Sequence, residues 1–132
     1  MNARITRTRW VDICRLDDIA AGGSQPALVG RLQLAVHRLG STDAVYATDD
    51  FDPYSKAYVL SRGLVDDASG EPRVESPVYR QSFSLLTGTC VEDEAVRVAV
   101  YPARVREGRV ELQLAAVTLD SFESLEVAEL TA

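Results

Sequence analysis

Short runs of alternating apolar and polar residues, separated by turn-forming residues, extend from residue 10 to residue 114. In an extended chain this alternation sends successive side chains to opposite faces of a strand. Glycine, proline, aspartate and serine are concentrated between the runs, where they favour turns. Many short strands with turn-rich connections are typical of an all-β barrel or sandwich, and we predict that fold class.

Individual runs predict particular strands and hairpins, because apolar alternation marks the strands and polar clusters mark the turns. In chain order, we expect a strand over residues 10–16, two strands in residues 27–39 around Gly30-Arg31, a returning strand over 45–48, a turn over 49–53, a hairpin around 66–70, a half-buried strand at 82–85, an alternating run at 96–100 and a hairpin around 106–108.

The two ends of the chain differ in character from the part between them. The C-terminal stretch contains acidic residues but no lysine or arginine, and its apolar residues Leu119, Phe122 and Leu125 recur at helical spacing. A short amphipathic helix and an acidic disordered tail are both compatible with this pattern. We therefore divide the chain into a flexible lead (1–9), one domain (10–114) and an acidic C-terminal tail or short helix (115–132).

Composition and charge exclude several classes of function. The formal net charge is −6, and the chain has no basic surface of the kind that non-specific nucleic-acid binding requires. No apolar stretch approaches the ~20 residues of a membrane helix. The basic start, with Arg4, Arg7 and Arg9, is not followed by an apolar run, so we expect no signal peptide. The two cysteines are expected to be reduced thiols of a cytoplasmic protein.

Motifs of catalysis and cofactor binding are missing from the sequence. There is no glycine-rich dinucleotide fingerprint, no phosphate-binding loop and no Cys-x-x-Cys pair. His37 is the only histidine, and it lies in an alternating run with no other ligand at metal-binding spacing. We expect it to be a surface residue or a hydrogen-bonded interior residue. The chain alone is therefore predicted not to be catalytic.

Two segments carry the most specific pattern in the chain, Asp52-Pro53-Tyr54 and Ser76-Pro77-Val78-Tyr79. They resemble the two ligand loops of a Rieske domain, in which C-x-H is followed later by C-x-x-H. Asp52 and Ser76 stand at the cysteine positions, and Tyr54 and Tyr79 stand at the histidine positions. A Rieske centre needs two thiolates and two imidazoles, whereas carboxylate and hydroxyl oxygens suit harder ions. We therefore expect that this chain binds no iron–sulfur cluster.

Other motifs follow in an order that resembles the small subunit of the assimilatory NAD(P)H-dependent nitrite reductase, a family with a Rieske-like domain that lacks the cluster ligands. The resemblance covers roughly residues 10–114. It implies an antiparallel β-sandwich or barrel with a smaller subdomain at the former cluster loops, and no cofactor in this chain. The matching motifs are Trp10-Val11-Asp12-Ile13-Cys14, Leu60-Ser61-Arg62-Gly63-Leu64, Phe83-Ser84-Leu85, Gly88, Cys90, Glu92-Asp93-Glu94, Tyr101-Pro102-Ala103-Arg104-Val105 and Gly108.

The same resemblance implies a partner. The large subunit of that enzyme would carry FAD, an iron–sulfur cluster and siroheme, and the complex would reduce nitrite to ammonium with NADH or NADPH. This chain would be a non-catalytic subunit that assists the assembly, stability or activity of the large subunit.

The positions of the missing ligands allow two interpretations. Asp52, Tyr54 and Tyr79 could form an oxygen-rich site for a hard mononuclear ion such as ferric iron, in a stand-alone module. Alternatively, the two tyrosine rings could lie side by side and fill the volume that a cluster would occupy, because interiors do not tolerate large voids. The second interpretation is the simpler one.

Several residues within or close to the ligand loops are of the types that dominate protein interfaces. Arginine and tyrosine are enriched among residues that contribute most to binding. Candidate partner contacts are therefore Arg62, Arg80, Tyr54, Tyr58 and Tyr79. For Arg62 the alternative is a structural ion pair with Asp49 or Asp50.

Overall fold

The computed structural model describes residues 8–115, and these residues form twelve β-strands and two single-turn 3₁₀ helices. The predicted N-terminal lead lies almost entirely outside the described residues, and so does the predicted C-terminal tail or helix. The strands are β1 (Thr8–Arg15), β2 (Ser24–Val29), β3 (Leu32–Arg38), β4 (Val45–Asp49), β5 (Phe51–Asp52), β6 (Ala57–Tyr58), β7 (Leu64–Asp66), β8 (Arg73–Glu75), β9 (Ser82–Ser84), β10 (Val100–Tyr101), β11 (Ala103–Arg106) and β12 (Arg109–Ala115), and the 3₁₀ helices are Leu16–Asp18 and Leu60–Arg62.

Two antiparallel sheets form the base of the molecule. One has the strand order β1-β12-β11 and the other has the order β10-β4-β3-β2. Both sheets contribute buried side chains to one cluster, so the two sheets pack face to face. Strand β12 shows the predicted alternation, because its apolar residues are buried and its polar residues are partly exposed. The cluster contains Val11, Ile13, Cys14, Ile19, Ala27, Val29, Leu34, Val36, Val45, Ala47, Val110, Leu112 and Leu114.

A smaller subdomain is inserted between β4 and β10. It contains the two-stranded sheet β5-β6 and the three-stranded sheet β7-β8-β9. Its apolar residues, together with Ala35 and Leu39 from the base, form a second buried cluster, which consists of Ala35, Leu39, Leu60, Val65, Val74, Phe83, Leu85, Cys90 and Val98. Ala35 belongs to β3, so the base sheet and the inserted subdomain share this cluster. The all-β fold with a smaller subdomain is confirmed.

The hairpins around Gly30-Arg31, residues 66–70 and residues 106–108 form as predicted, with strands β2-β3, β7-β8 and β11-β12 paired antiparallel. The predicted turn over residues 49–53 is wrong in part. Asp49 still belongs to β4, and Phe51–Asp52 is a two-residue strand that pairs with Ala57–Tyr58.

Two further predictions need correction. Strand β9 was expected to be half-buried, but Ser82 and Ser84 are only 6% exposed. Polar partners explain their burial, because Ser84 Oγ donates a hydrogen bond to Glu71 and the Ser82 amide donates to Glu92. The alternating run at 96–100 is not a continuous strand, and only Val100 continues into β10.

Within residues 8–115, no helix is both long enough and apolar enough to cross a membrane.

Candidate functional site at the two ligand loops

The first ligand loop, residues 52–56, is organised by the carboxylate of Asp52. Asp52 ends β5 and has no exposed surface. Its Oδ1 accepts a hydrogen bond from the Tyr54 amide at 2.9 Å, and its Oδ2 accepts one from Ser55 Oγ at 2.9 Å. The Lys56 amide donates to the Asp52 carbonyl at 2.8 Å and closes the turn. An aspartate that accepts from the backbone two residues ahead is a standard way to stabilise such a turn.

The second ligand loop, residues 76–81, begins at Ser76, which directly follows β8 and is also fully buried. The Ser76 amide donates to the Gln81 carbonyl at 2.8 Å, which closes the loop on itself. Its hydroxyl donates to Asp52 Oδ2 at 2.6 Å. The two residues that stand at the cysteine positions of the resemblance are therefore hydrogen-bonded directly to each other.

Tyr54 packs into the second core rather than against the other ligand loop. Its ring lies against Phe83, with 6.2 Å between the ring centroids. Its hydroxyl lies 3.4 Å from Cys90 Sγ, and Cys90 Sγ donates to Glu92 Oε1 at 3.5 Å. The hydrogen bond with Cys90 is the main cause that raises the pKa of Tyr54 to about 12, and burial adds to it. Tyr54 is therefore a neutral phenol at physiological pH.

Tyr79, unlike Tyr54, lies on the surface. It is 61% exposed, so the hypothesis that the two tyrosine rings lie together and fill the cluster volume is wrong. The 2.6 Å hydrogen bond between Asp52 and Ser76 already brings the two loops into contact, and the space that a cluster would need between them is closed. The turn at Ser76-Pro77 directs residues 77–80 outward, and all four are exposed.

These residues do not fit a [2Fe–2S] cluster. The carboxylate of Asp52 already accepts three hydrogen bonds, Ser76 offers a hydroxyl, and Tyr54 is held by Cys90. Within residues 8–115, no group of three or more His, Cys, Asp or Glu residues is arranged to hold a metal ion. The oxygen-rich mononuclear site is not assembled either, because the Tyr54 hydroxyl contacts Cys90 and Tyr79 is largely exposed.

Arg62 and Arg80 come together beside the second loop. They line a groove of about 300 Å³ together with Leu64, Glu75, Ser76 and Pro77. Arg80 forms an ion pair with Glu75 at 3.1 Å, and 74% of its side chain is exposed. An exposed pair of this kind contributes little to stability, so the guanidinium is available to a partner at small cost.

The proposed ion pair of Arg62 with Asp49 or Asp50 does not form. Asp50 accepts instead from the Ser61 amide at 2.7 Å, and Asp49 accepts from the Tyr101 hydroxyl at 2.7 Å. Arg62 is exposed and makes no side-chain hydrogen bond or ion pair within residues 8–115.

Two exposed apolar residues near the arginines are not among the predicted contacts: Leu64, which lines the groove, and Val78, which precedes Tyr79 in the second loop. Leu64 is 66% exposed and Val78 is 46% exposed, beside Tyr79. We call the surface formed by Arg62, Leu64, Val78, Tyr79 and Arg80 the tip face. The missed signal is the alternation in β7, where buried Val65 leaves Leu64 on the outer side of the strand.

Tyr58 and His37 lie outside the tip face. The Tyr58 ring stacks edge-on against Phe51, with centroids 5.2 Å apart, and lines a separate groove with Arg31 and Gln33. His37 is fully buried on β3, where Nδ1 lies 2.7 Å from Ser24 Oγ and Nε2 lies 2.9 Å from Thr48 Oγ1. Of the two predicted roles, a surface residue or a hydrogen-bonded interior residue, the structure shows the second.

A base of two antiparallel sheets that carries an inserted subdomain with two ligand loops defines a Rieske-like domain. The model of the Rieske-like [2Fe-2S] domain family matches residues 9–113, and the chain belongs to this family.

Within that family, the chain is similar to nitrite reductase subunits. It is 43% identical over 106 residues to the nitrite reductase (NADH) small subunit of Salmonella typhimurium, covering 80% of this chain and 98% of the relative. A crystal structure from Mycobacterium tuberculosis, described as an NADH-dependent nitrite reductase small subunit, superposes with a TM-score of 0.75 at 38% identity and covers 82% of this chain and 96% of the other. The chain is thus homologous to nitrite reductase small subunits.

A third relative has a different organisation. The nitrite reductase [NAD(P)H] large subunit of Klebsiella oxytoca is 43% identical to this chain over 101 residues, which are 76% of this chain but only 10% of that protein. In that protein, a domain of this kind is part of a much longer polypeptide.

Proposed function

We propose that this chain is the non-catalytic small subunit of a cytoplasmic NAD(P)H-dependent nitrite reductase that serves nitrate assimilation. The identity of 43% across 98% of the Salmonella small subunit is the observation that carries this proposal. The chain would assist the assembly, stability or activity of a large subunit, and that subunit would hold FAD, an iron–sulfur cluster and siroheme and would reduce nitrite to ammonium.

The absence of redox chemistry in this chain is part of the proposal. Electron transfer through a Rieske domain needs two thiolates and two imidazoles on the iron atoms. Here a carboxylate and a hydroxyl share a hydrogen bond at the two cysteine positions. The chain would therefore contribute binding and positioning to the complex but no electron carrier.

The organisation of the Klebsiella oxytoca protein supports a large-subunit partner. A domain 43% identical to this chain is covalently joined there to a protein named as a large subunit. A covalent connection keeps two parts at a high effective concentration, and separate chains need a binding surface to achieve the same proximity.

The tip face has the composition expected of such a surface. Leu64 is exposed and lines the same groove as Arg62 and Arg80, and Val78 and Tyr79 are exposed in the turn that leads to Arg80. Exposed apolar and aromatic side chains close to arginines resemble the centre of a protein interface. We propose that the large subunit docks on this face.

The test is reconstitution of the complex from this chain and the large subunit of the same organism. NADH-driven nitrite consumption is measured for the large subunit alone, for this chain alone and for the mixture. We expect activity or thermal stability of the large subunit to rise in the mixture, and no activity for this chain alone. Failure of the two chains to bind each other would contradict the proposal.

Three variants test whether the large subunit binds at the tip face. Arg62→Ala, Arg80→Ala and Tyr79→Ala should each weaken binding of the large subunit, by more than ~1 kcal/mol at a position that dominates the interface, with little change in melting temperature. Arg106→Ala is the matched control, because Arg106 is an exposed arginine on β11 in the other part of the fold. If all three variants bind as tightly as this control, the partner docks elsewhere.

A further inference from the structure

We propose that Asp52 and Ser76 are positioning residues, and that their buried hydrogen bond ties the two ligand loops together and holds the tip face in the shape that a partner binds. The part of this inference that concerns binding rests on the proposed function. The tie between the loops does not, because it follows from contacts inside this chain.

The Asp52–Ser76 pair has the burial and distance of a strong hydrogen bond. Neither residue has exposed surface, and the 2.6 Å between Ser76 Oγ and Asp52 Oδ2 is in the range of hydroxyl donors to carboxylates. Hydrogen bonds to a carboxylate are stronger than those between neutral groups, and burial removes the competition from water. The two other donors to Asp52, the Tyr54 amide and Ser55 Oγ, fix the direction of its carboxylate.

Across the described part of the chain, the Asp52–Ser76 contact is the only hydrogen bond that joins residues 52–56 to residues 76–81. The first loop is closed by its own bonds to Asp52 and anchored by Tyr54 on Phe83, but the strands that flank it, β5 and β6, contain only two residues each. The second loop is closed by its own bond from the Ser76 amide to the Gln81 carbonyl, so it can move as a unit when the tie is lost.

The position of the tie connects it to the tip face. Ser76 begins the turn that carries Val78, Tyr79 and Arg80, and it lines the same groove as Arg62 and Arg80. Its Oγ also accepts a hydrogen bond from the Val78 amide at 3.3 Å. A shift of Ser76 away from Asp52 therefore displaces Tyr79 and Arg80 relative to Arg62. In a relative with a metal cluster, residues of both loops would bind the same cluster and so connect the loops. Here the hydrogen bond between Asp52 and Ser76 makes that connection.

The experiment measures amide hydrogen exchange in the full chain, with and without Ser76→Ala. The informative amides are those of Tyr54 and Lys56, because they lie in the first loop and do not bond to Ser76. We expect their exchange to accelerate about tenfold or more, which is the effect of losing a hydrogen bond to a charged group. We also expect the affinity for the large subunit to fall by a similar factor.

Ser84→Ala is the matched control. Ser84 is also a buried serine whose hydroxyl donates to a carboxylate, that of Glu71, but it lies on β9. It should lower the melting temperature without changing the exchange of the Tyr54 and Lys56 amides or the affinity for the large subunit. Ser76→Cys keeps a small side chain but replaces the hydroxyl by a weak S–H donor, and it serves as a second variant if Ser76→Ala folds poorly. It leaves unchanged the Asp52 atoms to which the Tyr54 and Lys56 amides donate.

The outcomes separate the two proposals. Unchanged exchange at Tyr54 and Lys56 in both Ser76→Ala and Ser76→Cys would overturn the tie. Accelerated exchange with unchanged affinity for the large subunit would support the tie and overturn its connection to binding. If, in addition, Arg80→Ala and Tyr79→Ala bind normally, the docking face of the proposed function is wrong while the tie stands.

Discussion

At the scale of single residues, the surroundings of His37 strongly affect its protonation. Both hydroxyls that face His37 also lie within hydrogen-bond distance of a carbonyl oxygen: Thr48 Oγ1 is 2.8 Å from that of Asp49, and Ser24 Oγ is 3.0 Å from that of Gly63. A neutral ring has one N–H, so one hydroxyl accepts from the ring and the other donates its single hydrogen to the ring instead of to its carbonyl. Burial disfavours the charged ring and lowers the pKa of His37 to about 3. His37 is thus a structural residue whose protonation opposes folding.

The first prediction concerns the pH dependence of stability. The pKa of histidine in the unfolded chain is ~6.5 and that of folded His37 is about 3, so the unfolded chain binds the proton more readily. The stabilisation is complete above pH ~6.5 and decreases as the pH falls toward 3, with a limiting slope of ~1.4 kcal/mol per pH unit. Urea denaturation between pH 7.5 and 5.5 measures this slope.

His37→Gln provides the comparison for that measurement. The amide side chain can retain hydrogen bonds but has no titrating group, so the variant should be less stable at pH 7.5 and should lose less stability on acidification. An equal slope in the parent and the variant would show that other groups cause the pH dependence.

The second prediction contrasts the two tyrosines at the histidine positions. Tyr54→Ala removes a half-buried ring that packs on Phe83 and should lower the free energy of unfolding by about 2 kcal/mol. Tyr79→Ala removes a ring that is 61% exposed and should change it by less than ~0.5 kcal/mol. Chemical denaturation of both variants tests the contrast, and equal losses would contradict the assignment of inner and outer positions.

At the level of elements, the turn after β9 depends on one glycine. Gly88 has φ +82°, and a Cβ added there would lie 2.0 Å from the Val98 carbonyl oxygen. This close approach allows a hydrogen bond from the Val98 amide to the Gly88 carbonyl, which connects the chain before β10 to this turn. Glycine is therefore required by both the backbone conformation and the space.

The third prediction follows from that turn. Gly88→Ala combines the strain of a left-handed backbone with a steric clash, and it should destabilise the fold by about 3 kcal/mol. Gly108→Ala is the control, because Gly108 has φ +78° but no atom within 4 Å of an added Cβ. It should cost only the strain, about 1 kcal/mol. Thermal denaturation measures both, and similar losses would show that the contact with Val98 relaxes easily.

The sequence predicts elements well where local pattern decides them. Hairpins β2-β3 and β11-β12 form as expected because their turns and alternation lie within a few residues. Strand β9 could not be predicted in the same way. Its buried serines depend on Glu71 and Glu92, and alternation alone assumes that polar residues face water. Non-local hydrogen bonds of this kind leave no periodic signal in the sequence.

In the candidate site, too, local features were predictable from the sequence and non-local contacts were not. The motifs mark the segments that form the two loops, and Arg62 and Arg80, the predicted partner contacts, are exposed. The contact of Asp52 with Ser76 spans 24 positions along the chain, and the orientation of Tyr79 depends on the turn geometry that this contact helps to set. A one-dimensional pattern specifies neither. For that reason the tyrosine pair was predicted to be inward when only Tyr54 is.

For the molecule as a whole, the fourth prediction concerns its metal content. The donor atoms at the two loops do not suit a [2Fe–2S] cluster, so anaerobically purified protein should be colourless, with iron and acid-labile sulfide far below one cluster per chain. Metal analysis and the visible absorption spectrum provide the measurement. Two equivalents each of iron and sulfide per chain would contradict the prediction.

Strand β3 couples the unfolding of the two cores. Leu34 and Val36 pack into the first core, while Ala35 on the opposite face packs into the second. Neither half can unfold without exposing one side of this strand, so we expect a single cooperative transition. Scanning calorimetry should give equal calorimetric and van't Hoff enthalpies. Ala35→Ser should shift that one transition to lower temperature without splitting it, whereas two resolved peaks would mean that the halves melt independently.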